Sequence, residues 1–276
     1  MNTKIFRGLV AVAVIAIMMC VSSCVKDDIV PPLVEESILR SNEEGVSTRA
    51  LSSFSTGSYS ILQKYKNAYV HINQYDNYYT SETYPTWPNN TSNPQNCSWS
   101  NYVMAVGCVG RASSTISSND YKLDKARALK GFMYTSRNSY YTGSVMAYIY
   151  ADYGLVYDNS NRVGLRHWTT SKSTSNHNVI AEELLAHLNQ YKTPMVIIGT
   201  TASGAGHYFT IVSIVWGGNI DNSDIWVCDS TQGSSGDSFD SVKSSIPFRT
   251  FLNRVSNGSD SDYVNCNVLF TYDLNP

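Results

Sequence analysis

The sequence predicts an α+β fold, in which a helical first part packs on a mostly antiparallel β-sheet. Helical periodicity dominates the first half of the chain, whereas apolar or alternating segments of strand length dominate the second. The 276 residues suffice for one large domain or two small ones, and an apolar content of 42% does not fit a disordered chain. With 20 basic and 22 acidic residues there is no basic excess, so we expect no nucleic-acid partner.

Residues 1–23 are predicted to be a lipoprotein signal peptide rather than part of the fold. Lys4 and Arg7 form a basic start, and the apolar run of residues 8–19 is too short to span a membrane. The run ends in Val21-Ser22-Ser23-Cys24, which resembles a lipobox, the site where a bacterial lipoprotein signal peptidase cuts before a cysteine. Ordinary signal-peptide cleavage nearby is the alternative.

Cys24 is therefore the predicted lipidation site, with Cys20 as a rival. The segment Lys26-Asp27-Asp28 follows directly and resembles the surface-export signals of some Gram-negative lipoproteins. We expect a protein that is attached to the outer membrane of the cell envelope by its lipid anchor. Exposure at the cell surface is left open, because a short charged run is also typical of a solvated tether.

Residues 24–55 are predicted to be a flexible tether, and residues 56–276 the folded domain. The tether contains Pro31-Pro32 and few aromatic residues, a composition typical of linkers. Arg40 or Arg49 could be the site at which an arginine-specific protease releases the domain, although any exposed linker contains basic residues.

A helix is predicted to begin at Cys97, shortly after the polar, turn-prone run of residues 87–93. Apolar residues then recur at the i, i+3, i+4 and i+7 spacing of a buried helix face. These residues are Trp99, Tyr102, Val103 and Val106. The unpaired N–H groups and the positive dipole end of a helix start favour the thiolate of a cysteine, the form that attacks a carbonyl carbon.

The other elements follow from the same periodicities. Further helices are predicted over residues 124–133, 144–153 and 179–190, and residues 59–69 have roughly helical spacing. Strands are predicted over residues 194–199, 208–216, 224–229 and 264–272, with a short strand over residues 69–74. Residues 75–96 and 162–178 are predicted to be loops.

A histidine and a carboxylate are predicted to meet in the second half of the chain. His207 follows the glycines of Gly204-Ala205-Gly206 and opens an apolar strand, and Asp229 ends the next strand. The intervening Gly217-Gly218-Asn219 is a turn signal, so the two strands form a hairpin that returns Asp229 to His207. A carboxylate in this place holds the imidazole in one tautomer and stabilises the imidazolium.

The order of these features resembles that of papain-like cysteine peptidases, in particular the C39-like and streptopain-like branches. The similarity runs from about residue 69 to the C terminus and includes a helix, a proline and an apolar strand over residues 184–198. It implies a papain-like fold and a cysteine peptidase with Cys97 as nucleophile, His207 as base and Asp229 as the residue that orients His207. The implied partner is a protein or peptide substrate, without a cofactor.

The resemblance also implies a glutamine that donates a hydrogen bond to the oxyanion. The offset usual in papain falls on Thr91, which cannot do this. Gln74, which precedes a Tyr/Pro/Asn-rich loop, is similar to the more distant glutamine of streptopain-like enzymes and is preferred. Gln95 is the alternative, only two residues before Cys97. Ser98-Trp99 departs from the small, glycine-containing pair usual after the nucleophile.

The remaining cysteines and histidines are predicted to have structural roles. Cys108 and Cys266 are expected to be small buried hydrophobes, and a disulfide between Cys228 and Cys266 is a possibility outside the cytoplasm. No cysteine or histidine pair has the spacing of a zinc site, so no metal is expected. The histidines expected at surface or structural positions are His71, His167, His177 and His187.

Two other functions remain open from the sequence. Asn96-Cys97-Ser98 resembles the Asp-Cys-Ser of NlpC/P60 and CHAP peptidoglycan hydrolases, for which the partner is a peptidoglycan peptide. Those families usually have a shorter separation between cysteine and histidine. The other alternative is a non-catalytic envelope lipoprotein that keeps the fold for binding.

Overall fold

The computed structural model describes residues 50–74, 97–113, 163–200, 206–256 and 265–273. Within them, seven strands form one sheet, accompanied by five α-helices. The strands are β1 (Gly57–Ser60), β2 (Val163–Ser171), β3 (Met195–Thr200), β4 (Gly206–Trp216), β5 (Asp224–Cys228), β6 (Lys243–Pro247) and β7 (Asn265–Asp273). The helices are α1 (Gln63–Asn67), α2 (Cys97–Ala112), α3 (His177–Gln190), α4 (Phe239–Val242) and α5 (Phe248–Ser256). Short 3₁₀ turns cover Leu51–Ser53, Thr174–Asn176 and Ile220–Asn222.

The described strands are paired antiparallel throughout, in the order β2-β7-β3-β4-β5-β6, with β1 beside β4. β4 has eleven residues and is the central strand. Its first six residues pair with β3 and its last four with β1, while β5 pairs along its other edge. The second residue of this central strand is His207.

Helices cover both faces of the sheet. The Thr210 hydroxyl of β4 donates to Asn101 of α2 at 2.8 Å, whereas the ring of the adjacent Phe209 packs on Phe251 of α5, with centroids 5.6 Å apart. Adjacent strand residues point to opposite faces, so α2 and α5 lie on opposite sides of β4. α3 lies on the same side as α5, because His177 at its start contacts Ser256 at the end of α5 at 2.8 Å.

The fold class predicted from the sequence is confirmed. The protein is α+β, with a helical part near its N-terminal end packed on an antiparallel sheet, an arrangement consistent with a papain-like fold. α2 begins at Cys97, and its apolar stripe is buried as the periodicity predicts. α3 and the four predicted strands are also present, each within a few residues of its predicted bounds.

Three assignments were wrong. Residues 162–178, predicted to be a loop, contain β2, a nine-residue strand that pairs along its whole length with β7. Its polar composition hid it, because the strand signal is alternation of apolar residues and β2 lacks it. Residues 69–74 are buried but form no strand, and the helical spacing of residues 59–69 covers β1 followed by the short α1. The predicted helices 124–133 and 144–153 and the loop 75–96 lie outside the described residues.

The packed domain begins slightly before the predicted boundary at residue 56. Phe54, placed by the sequence in the tether, is only 8% exposed, and its ring packs edge-on against Tyr59, with centroids 6.0 Å apart. The backbone N–H of Leu51 also donates to a carboxylate oxygen of Glu182 in α3. The predicted signal peptide and the first part of the predicted tether lie outside the described residues.

The possible disulfide between Cys228 and Cys266 is wrong. Both thiols are free and buried. Cys228 ends β5 and Cys266 lies in β7, and β4 and β3 stand between those two strands. At about 4.8 Å per strand spacing, the separation is roughly 14 Å, too far for a disulfide. Cys108 and Cys266 are buried as small hydrophobes, and burial raises the pKa of the Cys266 thiol to about 12.

No helix in the described part of the chain is both long and apolar enough to cross a membrane.

The packing of α5 on the sheet gives a stability prediction. Phe251 is fully buried against Phe209, so Phe251→Ala is expected to lower the free energy of unfolding by about 3–5 kcal/mol. Urea unfolding followed by far-UV circular dichroism measures this. Val215→Ala, at a position 42% exposed, is the control and should change it by less than about 0.5 kcal/mol. Equal midpoints for both variants would contradict the placement of α5.

Candidate active site

Cys97 is the first residue of α2 and is 7% exposed. It is the least buried of the four cysteines in the described residues, since Cys108, Cys228 and Cys266 have no accessible surface. The thiol therefore occupies the helix start that the sequence predicted, where backbone N–H groups lack helical partners.

His207 and Asp229 are brought together by the β4–β5 hairpin. Thr210 pairs with Cys228 at the end of the β4–β5 ladder. Asp229, the next residue, therefore extends towards Phe209. His207 is two residues before Phe209 on the same face of β4, so Asp229 and His207 are diagonal neighbours. Nε2 of His207 is 2.6 Å from Oδ1 of Asp229. The imidazole is 3% exposed and the carboxylate 17%, so this contact is largely shielded from water.

Cys97 lies close enough to the same imidazole to raise its pKa. Because Nε2 is bonded to Asp229, Nδ1 is the ring nitrogen that remains for the thiol. The structure thus brings together the three residues that the sequence singled out, in the order thiol, imidazole and carboxylate.

The opposite charges of the His207 imidazole and the Asp229 carboxylate stabilise each other. Burial opposes a positive charge on His207 and is the largest influence, but the hydrogen bond to Asp229 and the proximity of Cys97 outweigh it and raise the pKa of His207 to about 9. For Asp229, burial again opposes the charge, while the bonds from His207 and Thr231 hold the pKa of its carboxyl below the ordinary value. An imidazolium facing a carboxylate is therefore the state near neutral pH.

The segment after β5 is held by hydrogen bonds to the Asp229 carboxylate and to residues 71–74. The backbone N–H and the hydroxyl of Thr231 each donate to Asp229 Oδ1 at 2.8 Å. The carbonyl of Gln232 lies 2.6 Å from His71 Nε2, and that of Gly233 accepts from Asn73 at 2.6 Å. Thr231 therefore holds the carboxylate of Asp229, and residues 71–74 hold the segment that follows it.

Gly233 allows this segment to turn. Its φ of +62° lies in the left-handed region, and a Cβ there would come within 2.7 Å of the Val242 side chain. A side chain at this position would therefore be disfavoured both by backbone conformation and by contact with α4.

Gln74, the preferred oxyanion residue, docks on the residue that follows Asp229. Its backbone N–H donates to the Ser230 carbonyl at 2.8 Å, and its Oε1 accepts from the Ser230 hydroxyl at 2.8 Å. The side chain is buried. The alternative, Gln95, lies outside the described residues.

Asn101 is the residue of this site that sequence reasoning missed. Its side-chain amide donates to the carbonyl of Cys97, the carbonyl of Tyr208 and the hydroxyl of Ser230. One signal was available: Asn101 is a polar residue four positions after Cys97, within a helix that is otherwise largely apolar. A buried amide in that setting needs hydrogen-bond partners.

Three other histidines are structural, and they are buried rather than superficial. His71 bonds Tyr69 and Gln232, His187 bonds Thr193, and His177 bonds Ser256. Burial, helped by the Arg166 charge, lowers the pKa of His187 to about 3. In the described residues, no group of three His, Cys, Asp or Glu side chains could hold a metal ion.

A surface groove lies away from this site, over β1, β4 and β5. Its walls include Ser60, Lys66, Trp226 and Lys243. None of Cys97, His207 and Asp229 contributes to its walls.

Comparison with known proteins identifies no family for the chain. No protein-family model matches it, and no curated protein does. Among solved structures, the chain aligns with that of UfSP from C. elegans at a TM-score of 0.32 and 13% sequence identity. The alignment covers 48% of this chain and 22% of that one, so the chain spans about a fifth of that protein's length.

The raised pKa of His207 predicts a pH dependence of stability. The charged imidazole stabilises the folded state fully below pH 6.5, its ordinary pKa, and this contribution is lost as pH rises to about 9. In Asp229→Asn the loss across that window should shrink, because the carboxylate that helps to raise the pKa is gone. The free energy of unfolding, measured by urea titration below, within and above the window, tests this.

The matched control is Asp221→Asn, which removes a carboxylate from an exposed ion pair with Arg249. The pKa of Asp221 is held below its ordinary value by Arg249, so this group does not titrate between pH 6.5 and 9. The pH profile of the control should parallel that of the wild type. A parallel profile for Asp229→Asn as well would contradict the coupling of Asp229 to His207.

Proposed function

We propose that this protein is a cysteine peptidase that hydrolyses peptide bonds through Cys97, His207 and Asp229. The observation that carries the proposal is the buried His207, which bonds Asp229 at 2.6 Å and lies close enough to Cys97 for that residue to raise its pKa. A thiol at a helix start, beside an imidazole that is held in its charged form, is the arrangement that activates a cysteine nucleophile.

The reaction has two stages. Cys97 Sγ attacks the carbonyl carbon of the scissile bond as a thiolate, and His207 donates a proton to the departing amine, leaving a thioester on Cys97. Water then attacks the thioester carbonyl while His207 accepts its proton, and cleavage of the C–S bond releases the acid and restores the thiolate. Asp229 keeps the ring oriented and compensates its positive charge in both stages.

The developing oxyanion needs hydrogen-bond donors near Cys97. We assign this role to the backbone N–H of Cys97, at the start of α2, and to the side-chain amide of Gln74. The Ser230 hydroxyl supports the assignment, because it bonds Oε1 of Gln74 and so determines on which side of the carboxamide the NH₂ group lies. Each such donor contributes about 3 kcal/mol to transition-state stabilisation.

The proposals for the substrate class and the location rest on the sequence alone. We propose a protein or peptide substrate, with lipid attachment at Cys24 to the outer membrane. On this proposal the segment of residues 24–49 keeps the catalytic domain tethered in the cell envelope. A peptidoglycan peptide is the alternative substrate, and the experiments below separate the two.

Removal of the nucleophile tests the activity itself. Cys97→Ala is expected to lower the rate of hydrolysis of a fluorescently labelled, denatured protein by at least about 10⁴-fold, because no other group can form the thioester. Cys266→Ala, which removes a buried thiol from β7, is the matched control and should retain activity. The same two variants, assayed on purified muropeptides, decide between protein and peptidoglycan.

Iodoacetamide labelling near neutral pH provides an activity-independent check. Cys97 should be alkylated much faster than Cys108, whose thiol is fully buried and bonds the Tyr65 carbonyl at 2.9 Å. Equally slow labelling would remove the basis for an activated thiol. Cleavage of muropeptides alone would favour the peptidoglycan alternative, and binding without chemistry would favour a non-catalytic role.

The oxyanion assignment is tested by Gln74→Ala. The expected loss is about 10²-fold to 10³-fold in kcat with a small change in KM, because the donor acts on the transition state more than on bound substrate. Gln63→Ala is the control, since Gln63 is exposed and bonds only Asn67 among the contacts observed. An unchanged kcat in Gln74→Ala would transfer the role to another donor, with Gln95→Ala as the next variant.

A further inference from the structure

The side chain of Asn101 has no accessible surface and lies among polar atoms from three different parts of the fold. Its Nδ2 is 2.8 Å from the carbonyl of Cys97, 3.0 Å from that of Tyr208 and 3.1 Å from the Ser230 hydroxyl. Its Oδ1 accepts from the Thr210 hydroxyl at 2.8 Å. The two amide hydrogens are thus shared among three acceptors, and the amide is fully engaged.

Each of the three acceptors lies on or next to a residue of the proposed active site. The first carbonyl belongs to Cys97 itself. Tyr208 directly follows His207 in β4, and Ser230 directly follows Asp229 after β5. The side-chain amide of Asn101 therefore connects the start of α2, the part of β4 beside His207 and the segment that follows Asp229.

The Ser230 hydroxyl extends this network to Gln74. A hydroxyl has one proton, and that of Ser230 is donated to Gln74 Oε1, so its oxygen accepts from Asn101. The donor and acceptor of each hydrogen bond are thereby defined. The Asn101 amide donates to the Ser230 hydroxyl, and the Ser230 hydroxyl donates to the side-chain carbonyl of Gln74. With Oε1 held in this way, the NH₂ group of Gln74 occupies the opposite arm of the carboxamide.

Helix formation does not require a polar residue at this place. The other buried positions of α2 are filled largely by apolar side chains, as at Trp99 and Val103. Burying an amide has a desolvation cost that its hydrogen bonds must offset. Those bonds connect elements that are far apart in sequence, since Tyr208 is 107 positions and Ser230 is 129 positions after Asn101.

We propose that Asn101 is a positioning residue, which holds Cys97, His207 and Asp229 in one geometry and, through Ser230, orients the carboxamide of Gln74. This inference rests on the proposed peptidase function and deepens it. Asn101 and Ser230 contact no substrate, and they act through the residues that do. Substitutions of Ser230 and of Asn101 should have different effects, because Ser230 orients Gln74 whereas Asn101 also holds the start of α2.

Two variants separate those effects. Ser230→Ala deletes one hydroxyl and should lower kcat about 10-fold to 100-fold, while KM and the iodoacetamide rate of Cys97 stay within about twofold of wild type. Asn101→Ala should lower kcat at least as much and also slow alkylation of Cys97, with a shifted pH profile of that rate. Steady-state kinetics on the denatured protein substrate and alkylation followed by mass spectrometry provide both readouts.

Ser213→Ala is the matched control. It deletes a hydroxyl from the far half of β4, where Ser213 bonds Ser60 rather than any site residue, and both readouts should match wild type. Thr210→Val removes the donor to Oδ1 of Asn101 at constant shape and should resemble a mild Asn101→Ala. If Asn101→Ala fails to fold, as judged by circular dichroism, Ser230→Ala and Thr210→Val carry the test.

The outcomes are distinct. Wild-type kcat in folded Ser230→Ala and Thr210→Val, with Cys97→Ala inactive, overturns the positioning role and leaves the peptidase proposal intact. An equal loss of kcat and of alkylation rate in Ser230→Ala overturns the separate orientation of Gln74. Full activity in Cys97→Ala overturns the peptidase proposal itself.

Discussion

The hydrogen bond between His207 and Asp229 is the interaction on which the rest of the site depends. An imidazolium that is almost completely buried persists only beside an opposite charge, and Asp229 supplies it at 2.6 Å. The position of Asp229 is in turn set by the register of β4 and β5, with Thr210 opposite Cys228. A shift of that register by one residue would turn Asp229 to the other face and leave the histidine without its partner.

The carboxylate is therefore supported at more than one level. The sheet delivers it to the end of β5, and Thr231 fixes Oδ1 through two further hydrogen bonds. Residues 71–74 then hold the following segment at Ser230, Gln232 and Gly233. The same four residues end in Gln74, so the segment that stabilises the carboxylate also carries the residue assigned to the oxyanion.

The local parts of this site were predictable, and the long-range parts were not. Periodicity located α2 and its first residue, Cys97, and the hairpin placed Asp229 beside His207 because only 22 residues separate them. Nothing local could place Cys97 next to His207, since that contact depends on how α2 packs across the sheet. β2 was missed because apolar and polar residues do not alternate along its whole length, and Asn101 because the value of a buried amide depends on its partners.

The cysteines show that amino-acid composition does not predict which thiols form a disulfide. A disulfide was a reasonable expectation for a protein predicted to be exported, but pairing is decided by strand order, and two strands stand between Cys228 and Cys266. α5 shows the opposite case, since Phe248, Phe251, Leu252 and Val255 have the spacing of a buried helix face and could have been recognised.

The wide sequence separations within the site have a consequence for folding. The sequence separation is 129 positions between Asn101 and Ser230 and 156 between Gln74 and Ser230. These contacts therefore form only after distant segments of the chain have come together. Closing such long loops is slow compared with forming a helix or a hairpin. A partly folded chain thus has a Cys97 thiol without its imidazole, and the thiol, imidazole and carboxylate come together only once the domain has become compact.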